Sequence, residues 1–260
     1  MNQITDHQSG SGSLNATQLK FIAILAMLID HIAWAFVPTA SFQGQVMHAI
    51  GRFTFPVMAF FVAEGFHYTR NYKKYLGRML VFAVISHLAF QYFNFGRVAL
   101  LQPVAGDSFM TFAYTSIMYT FSLGLIALWV MVRWKVSVIM RYLIVALLCI
   151  LAYPGDYMYF APVLIMLFGQ NFGDRPQQLR MGVLVIGFLV ILSLQSNWRS
   201  SLFMIATFIP LLFLARYDGT RGPARHPLIK YSFYVFYPLH LFLLGFIRYE
   251  LLGLPPISGF

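Results

Sequence analysis

Apolar residues fall in blocks along most of the chain, and polar ones gather between the blocks. The blocks are mostly near the length of about 20 residues that a helix needs to cross a bilayer core. Helices are predicted over 19–37, 46–67, 76–95, 111–132, 138–153, 157–170, 180–195, 200–215 and 230–252. Runs such as Phe21 to Ile29 and Leu143 to Leu151 are apolar on every side, whereas a membrane barrel would alternate apolar with polar positions. The expected fold is all-α, a polytopic transmembrane helix bundle. The fifth and sixth segments are short and separated only by Pro154, Gly155 and Asp156, so a re-entrant pair is the alternative there. Residues 1–18, rich in Gly, Ser, Asn and Gln, read as a flexible polar tail ahead of one transmembrane domain at 19–260. No basic stretch or small-residue cleavage pattern marks a removable signal peptide.

Composition strengthens this picture. The chain is 59% hydrophobic and 10% charged, against roughly 45–50% and 25% in soluble domains. Cys149 is the one cysteine, which rules out an internal disulfide and a thiolate metal cluster. No His-x-x-x-His pair and no glycine-rich phosphate loop occurs, so no metal is expected. The net charge of +10 lies in short pieces between apolar spans. That distribution fits an anionic lipid surface or an anionic cytoplasmic ligand, and no nucleic-acid partner is expected.

Loop charges set the expected orientation. Arg70, Lys73, Lys74 and Arg78 fall in one loop, and Arg133, Lys135 and Arg141 in another. Arg175 and Arg180 follow, then Arg216, Arg221, Arg225 and Lys230. The alternate loops are nearly bare of basic residues. Basic loops stay cytoplasmic, which places the N-terminus inside and the C-terminus outside.

Ionisable groups within spans are costly and mark sites. Asp30 and His31 lie about 15 Å above Lys20, at 1.5 Å per helical residue. Arg52, in Gly51-Arg52-Phe53-Thr54-Phe55-Pro56, and His240, in Tyr237-Pro238-Leu239-His240-Leu241, come to a similar depth. His87 does too, but a helix-to-helix hydrogen bond is the simpler role for it. Adjacent helical residues point about 100° apart, so Asp30 can pair with Arg52 while His31 faces a cavity. Glu64 and His67 near the inner end can reach the interface.

The run Leu19-Lys20-Phe21-Ile22-Ala23-Ile24 leading into Met27-Leu28-Ile29-Asp30-His31 resembles the opening of the TraX family. Gly51-Arg52-Phe53-Thr54-Phe55-Pro56 with Phe60 and Glu64-Gly65, Tyr119-Thr120-Phe121-Ser122-Leu123-Gly124, Gly155-Asp156-Tyr157 and Tyr237-Pro238-Leu239-His240-Leu241 extend the resemblance over almost the whole chain. The chain departs from the family at Tyr159-Phe160-Ala161-Pro162, which replaces a glycine-containing continuation.

The resemblance implies a multi-pass protein of the bacterial inner membrane, an acetyltransferase that takes acetyl from cytoplasmic acetyl-CoA. The implied acceptor is the N-terminus of a pilin subunit or another small amine or hydroxyl. Such transfer needs a base or an acetyl-carrying nucleophile, and neutral His31 can be either. Asp30 would orient its surroundings, Arg52 would hold Asp30 or stabilise an oxyanion, and His240 is a second proton-transfer candidate. Arg70, Lys73, Lys74, Arg78, Arg133 and Lys135 are candidates for the coenzyme A phosphates, with a purely topological role as the alternative. Asp156, Tyr157 and Glu64 are candidates for receiving the acceptor. A proton-coupled transporter and a non-catalytic pilus-assembly factor are the rival classes. A transporter would often show two repeated halves, and no internal repeat is visible.

Overall fold

The computed structural model describes residues 13–222 and 227–257, the side chains of 227–233 excepted. Arg225, the Lys230 side chain and most of the expected N-terminal tail therefore lie outside the described residues. Within them the chain is helical, with isolated bridges and no strand.

Helix α1 (Ala16–Phe36) starts three residues earlier than the apolar pattern suggests, because Asn15 caps it. The Asn15 side chain accepts from Gln18 N–H at 3.0 Å, and the Gln18 side chain accepts from Asn15 N–H at 2.9 Å. This reciprocal box satisfies two donors that a helix start otherwise leaves open. Residues Leu14 to Thr17 are also bound to the segment at 216–221, through Asp218 N–H to Leu14 O (2.9 Å), Ala16 N–H to Thr220 O (2.9 Å) and Thr17 Oγ1–H to Arg221 O (2.6 Å). Gly222, at φ 69, lets that segment pass close by: a Cβ there would lie 2.4 Å from Asn15 Oδ1.

The second predicted span is divided into α2 (Phe42–Gly51) and α3 (Thr54–Tyr68). Pro56 explains the interruption, since it cannot donate to the carbonyl four residues earlier. Helix α4 (Tyr72–Phe95) closes at left-handed Gly96. The fourth span breaks at Tyr114–Ser116 into α5 (Phe109–Ala113) and α6 (Ile117–Val132). Helices α7 (Val138–Leu151) and α8 (Phe160–Gln170) are about 21 and 17 Å long at 1.5 Å per residue. That is short of a bilayer core of about 30 Å. The seventh and eighth spans, expected at 180–195 and 200–215, meet at a kink with no loop between them. Helix α9 (Arg175–Ser201) leaves helical geometry at Asn197, runs into a 3₁₀ segment (Leu202–Phe208), and then α10 (Ile209–Ala215). Gln45 of α2 pins that junction, donating to Ser200 O and accepting from Phe203 N–H, both at 3.1 Å. Helix α11 (Pro227–Phe246) ends in a π-helical turn at Ile247–Leu251.

Among the described residues, four segments are long and apolar enough to cross a membrane: Ala16–Phe36, Phe42–Tyr68, Tyr72–Phe95 and Arg175–Ala215. Large apolar side chains such as Phe21, Val84, Ile139, Leu184 and Leu212 stand exposed on their outer faces, as in a protein solvated by lipid. Inside, α3 packs against α1, α6, α8 and α10, while α4 packs against α6 and α11. Two larger cores result. One surrounds α3, and the other joins α1, α4 and α11 through Met27, Phe90, Phe93, Tyr237 and Leu241.

Glycines let α6 and α8 approach closely, as small residues do between membrane helices. A Cβ on Gly169 would stand 2.3 Å from Leu128 Cδ2, and one on Gly124 would stand 3.1 Å from backbone Cα of Pro162. Gly169→Ala is expected to lower the unfolding temperature in detergent, with overpacking costs of about 1–3 kcal/mol. Leu128→Ala in the same chain is expected to restore part of the loss. Additive losses would contradict this packing.

Candidate functional site

On α1, Asp30 and His31 turn to different neighbours. Asp30 faces α2: its Oδ1 is 2.8 Å from His48 Nδ1 and its Oδ2 is 2.5 Å from Arg52 Nη2. His48 and Arg52 are four residues apart, one helical turn, so one carboxylate accepts from both. All three side chains are buried, His48 completely. The His48 ring packs 4.5 Å from Trp34 and 5.1 Å from Phe203. Gly51 admits the carboxylate: a Cβ there would lie 2.3 Å from Asp30 Cβ and Cγ.

Arg52 is committed on three sides. Besides Asp30, its Nε donates to His48 O at 3.3 Å and its Nη1 donates to Tyr157 Oη at 2.6 Å. Tyr157 reaches it from a strained turn, with φ of 57° at Tyr157 and 41° at Met158. Non-glycine residues persist in this left-handed region only where surrounding contacts impose it. Here Tyr157 stacks on Phe55 with centroids 3.9 Å apart. Thr115 O accepts from Asp156 N–H, and Thr120 Oγ1 donates to Asp156 O, both at 3.0 Å. This turn lies between α7 and α8, where the sequence suggested the start of a helix.

His31 faces α11. Its Nδ1 is 2.8 Å from Met27 O and 3.2 Å from His240 Nε2, while His240 Nδ1 is 2.8 Å from Phe236 O. A carbonyl only accepts, so these contacts assign a proton to Nδ1 of both rings. His240 Nε2 is then an acceptor for the His31 Nδ1–H. His31 Nε2 is left with its lone pair and makes no hydrogen bond to a described residue. Pro238 lies within α11 two residues before His240.

These groups line a small cavity of about 110 Å³, with Asp30, His31, Arg52, Asp156, Tyr157 and Tyr237 in its wall. Burial pushes the Asp156 carboxyl up to about 6, although Arg52 pulls it down. A second cavity of about 1540 Å³ opens at the basic end, where Lys20, Arg70, Lys74, Arg78 and Arg221 line it. Met27, Thr54, Ile117 and Tyr237 belong to both walls. The two spaces therefore share a wall, and His31 lines the smaller one.

A family profile described as TraX protein matches residues 15–248. The chain belongs to the TraX family. It is also 31% identical over 236 residues to a protein of Dichelobacter nodosus named "Probable fimbrial assembly protein FimC, serogroup H1", covering 88% of this chain and 94% of that relative. No solved structure matches the chain.

Within this TraX chain the structure gathers His31, Asp30, Arg52, Asp156 and Tyr157 in the wall of the small cavity, and His240 meets His31 from outside that wall. Glu64 is elsewhere. It lines the basic cavity with Lys20 and accepts from Tyr217 Oη at 3.1 Å, so it does not join Asp156 and Tyr157. Of the six expected phosphate ligands, Arg70, Lys74 and Arg78 line the large cavity, while Lys73, Arg133 and Lys135 do not. Lys74 and Arg78 share a helix face, from which Lys73 is turned by about 100°. The Arg133 guanidinium lies over the Phe66 ring, 5.8 Å from its centroid. His87 bonds Thr115 Oγ1 at 3.0 Å, a link between α4 and the start of α6.

Sequence reasoning passed over His48, Lys20 and Arg221. The four-residue spacing from His48 to Arg52 was a usable signal. Lys20 and Arg221 are ordinary loop-end cations until the chain brings 216–221 against α1.

Two measurements follow from this geometry. Gly51→Ala is expected to displace Asp30 from His48 and Arg52 and destabilise the protein, seen as a lower unfolding temperature; an unchanged one would contradict the contact. Asp156 has a folded pKa above the ordinary carboxylate value, so ionising it costs the folded state as pH rises from about 4 through about 6. Wild type is expected to lose stability relative to Asp156→Asn across that window. Parallel pH profiles would contradict the burial of that carboxyl.

Proposed function

We propose that this chain is a membrane-embedded acetyltransferase of the bacterial inner membrane, drawing acetyl-CoA from the cytoplasm and passing the acetyl group to an acceptor at the opposite side. One observation carries the reading: a large basic cavity and a small cavity share Met27, Thr54, Ile117 and Tyr237 in their walls, and His31 lines the small one. Lys20 to His31 is about 16 Å along α1, the scale of an extended pantetheine arm. Coenzyme A phosphates would sit against Lys20, Arg70, Lys74, Arg78 and Arg221. The thioester would lie beside Met27 and Thr54.

In this scheme the acceptor amine or hydroxyl attacks the thioester carbonyl carbon while His31 Nε2 takes its proton. The imidazolium so formed keeps its Nδ1–H on Met27 O and His240 Nε2, which fixes the ring. The intermediate collapses, the carbon–sulfur bond breaks, and His31 returns the proton to the departing thiolate. Asp30 and Arg52 hold α1 and α2 in register around the site, and Asp156 with Tyr157 forms the acceptor side. A pilin N-terminus is the acceptor that the family resemblance favours. The fimbrial-assembly name of the Dichelobacter relative favours a second reading, a non-catalytic assembly factor.

Acetyl-CoA binding and thiol release by purified protein, wild type against His31→Ala, separate the two. The expected result is binding by both and release by wild type alone, with a loss of about 10²–10⁴-fold in the variant. Folded protein that neither binds acetyl-CoA nor releases thiol would sink the enzyme and leave the assembly factor.

A further inference from the structure

The small cavity leaves little room for what the transfer must bring together. It measures about 110 Å³, less than the roughly 150 Å³ that takes a benzene ring in a protein interior. It therefore holds fewer than about six non-hydrogen atoms. An acetyl group, with the acceptor's attacking atom and the carbon behind it, already nears that limit. Each further methylene on the acyl group has to displace a wall or the acceptor.

The walls differ in kind. Asp30, Arg52, Asp156 and Tyr157 bring polar groups from α1, the end of α2 and the turn before α8, whereas α4 brings Phe90 and Phe93. These two rings are close to one helical turn apart and share a face. Both line the small cavity and neither lines the large one. The Phe93 ring is edge-on to that of His31, with centroids 5.6 Å apart, and the Phe90 ring lies 5.0 Å from that of Tyr114. Phe93 has no room to retreat. It is 2% exposed and belongs to the core that joins α1, α4 and α11. Tyr249 Oη donates to its carbonyl at 2.7 Å, and a Cβ on Gly245 of α11 would stand 3.3 Å from its Cα. A wall packed in this way does not open for an added methylene without cost.

We infer that Phe93, backed by Phe90, is the gauge that limits the donor's acyl group to acetyl. The inference rests on the acetyltransferase reading and adds to it the residues that set donor chain length. With the thioester at the wall the two cavities share, the carbons beyond its carbonyl extend into the small cavity. A hydrocarbon tail gains nothing from carboxylates or a guanidinium, and its place is against the α4 rings. In the transfer the acceptor's nitrogen or oxygen bonds to the carbonyl carbon and the carbon–sulfur bond breaks. The acceptor's proton passes to His31 and then to the thiolate. The methyl group stays against Phe93 throughout, and Phe93 itself makes and breaks no bond.

The test uses the full chain in detergent, a short peptide with a free N-terminal amine, and acetyl-, propionyl- and butyryl-CoA, following thiol release and, separately, coenzyme A binding. Each added methylene is expected to lower wild-type kcat/KM by about tenfold or more. Phe93→Ala is expected to bring butyryl-CoA to within about tenfold of acetyl-CoA, with coenzyme A affinity unchanged. Phe93→Leu is expected to move the ratio the same way by a smaller factor, and it keeps the test alive if Phe93→Ala does not fold. A purely structural role would lower turnover of all three donors alike. Wild type that uses butyryl-CoA as well as acetyl-CoA overturns the gauge and leaves the acetyltransferase standing. An unchanged donor preference in the folded variants does the same. A wild-type protein that releases thiol from none of the three overturns both.

Discussion

The Asp30 carboxylate, shared between His48 and Arg52, is the contact on which the rest of the site depends. In an apolar bundle a lone carboxylate or guanidinium is costly, and removing one partner of such a pair typically costs about 3–5 kcal/mol. The constraint thus fixes two helices at once. It ties α1 to α2, and through Arg52 it reaches Tyr157 on the turn between α7 and α8. It also decides where His31 goes. With Asp30 turned toward α2, the next residue is carried about 100° round the helix, to α11 and His240.

That division places the small cavity along the seam of the two larger cores. Phe55 belongs to the core around α3, whereas Met27 and Tyr237 belong to the one joining α1, α4 and α11. A seam between two packed units is where a space can persist without voiding either core. The basic cavity borders the same seam, and its cations are gathered from distant parts of the chain: Lys20 on α1, Arg70, Lys74 and Arg78 at the start of α4, and Arg221 on the segment clamped to Leu14–Thr17. Fold and site are therefore one arrangement, with polar groups set where helices meet and apolar ones facing lipid.

Much of this was legible in the sequence because membrane helices have a strong signature. Block length marked the spans, and the cost of charge in lipid singled out Asp30, His31, Arg52 and His240. The interruptions were less visible. A break at Pro56 follows from local chemistry, and the kink at Asn197 falls in the gap expected between 195 and 200, but the 3₁₀ turn after it depends on Gln45, a residue 155 positions away in sequence from its partner Ser200. The strained turn at Tyr157 and Met158 is likewise imposed by Phe55, Thr115 and Thr120, none of them local. Cations were countable but not assignable: Lys73 and Lys74 look alike in sequence, and only helix phase separates them. Glu64, expected near the inner end of its helix, lines the basic cavity apart from Asp156 and Tyr157, since depth alone does not say which neighbours a side chain meets.

The most direct test of the proposed donor site is a structure of the full chain with bound coenzyme A, determined in detergent or nanodiscs. The expected density places the phosphates against Lys20 and Arg221 and the sulfur beside Met27 and Tyr237, within reach of His31. Coenzyme A bound elsewhere, or with its sulfur turned away from the wall the two cavities share, would contradict that geometry.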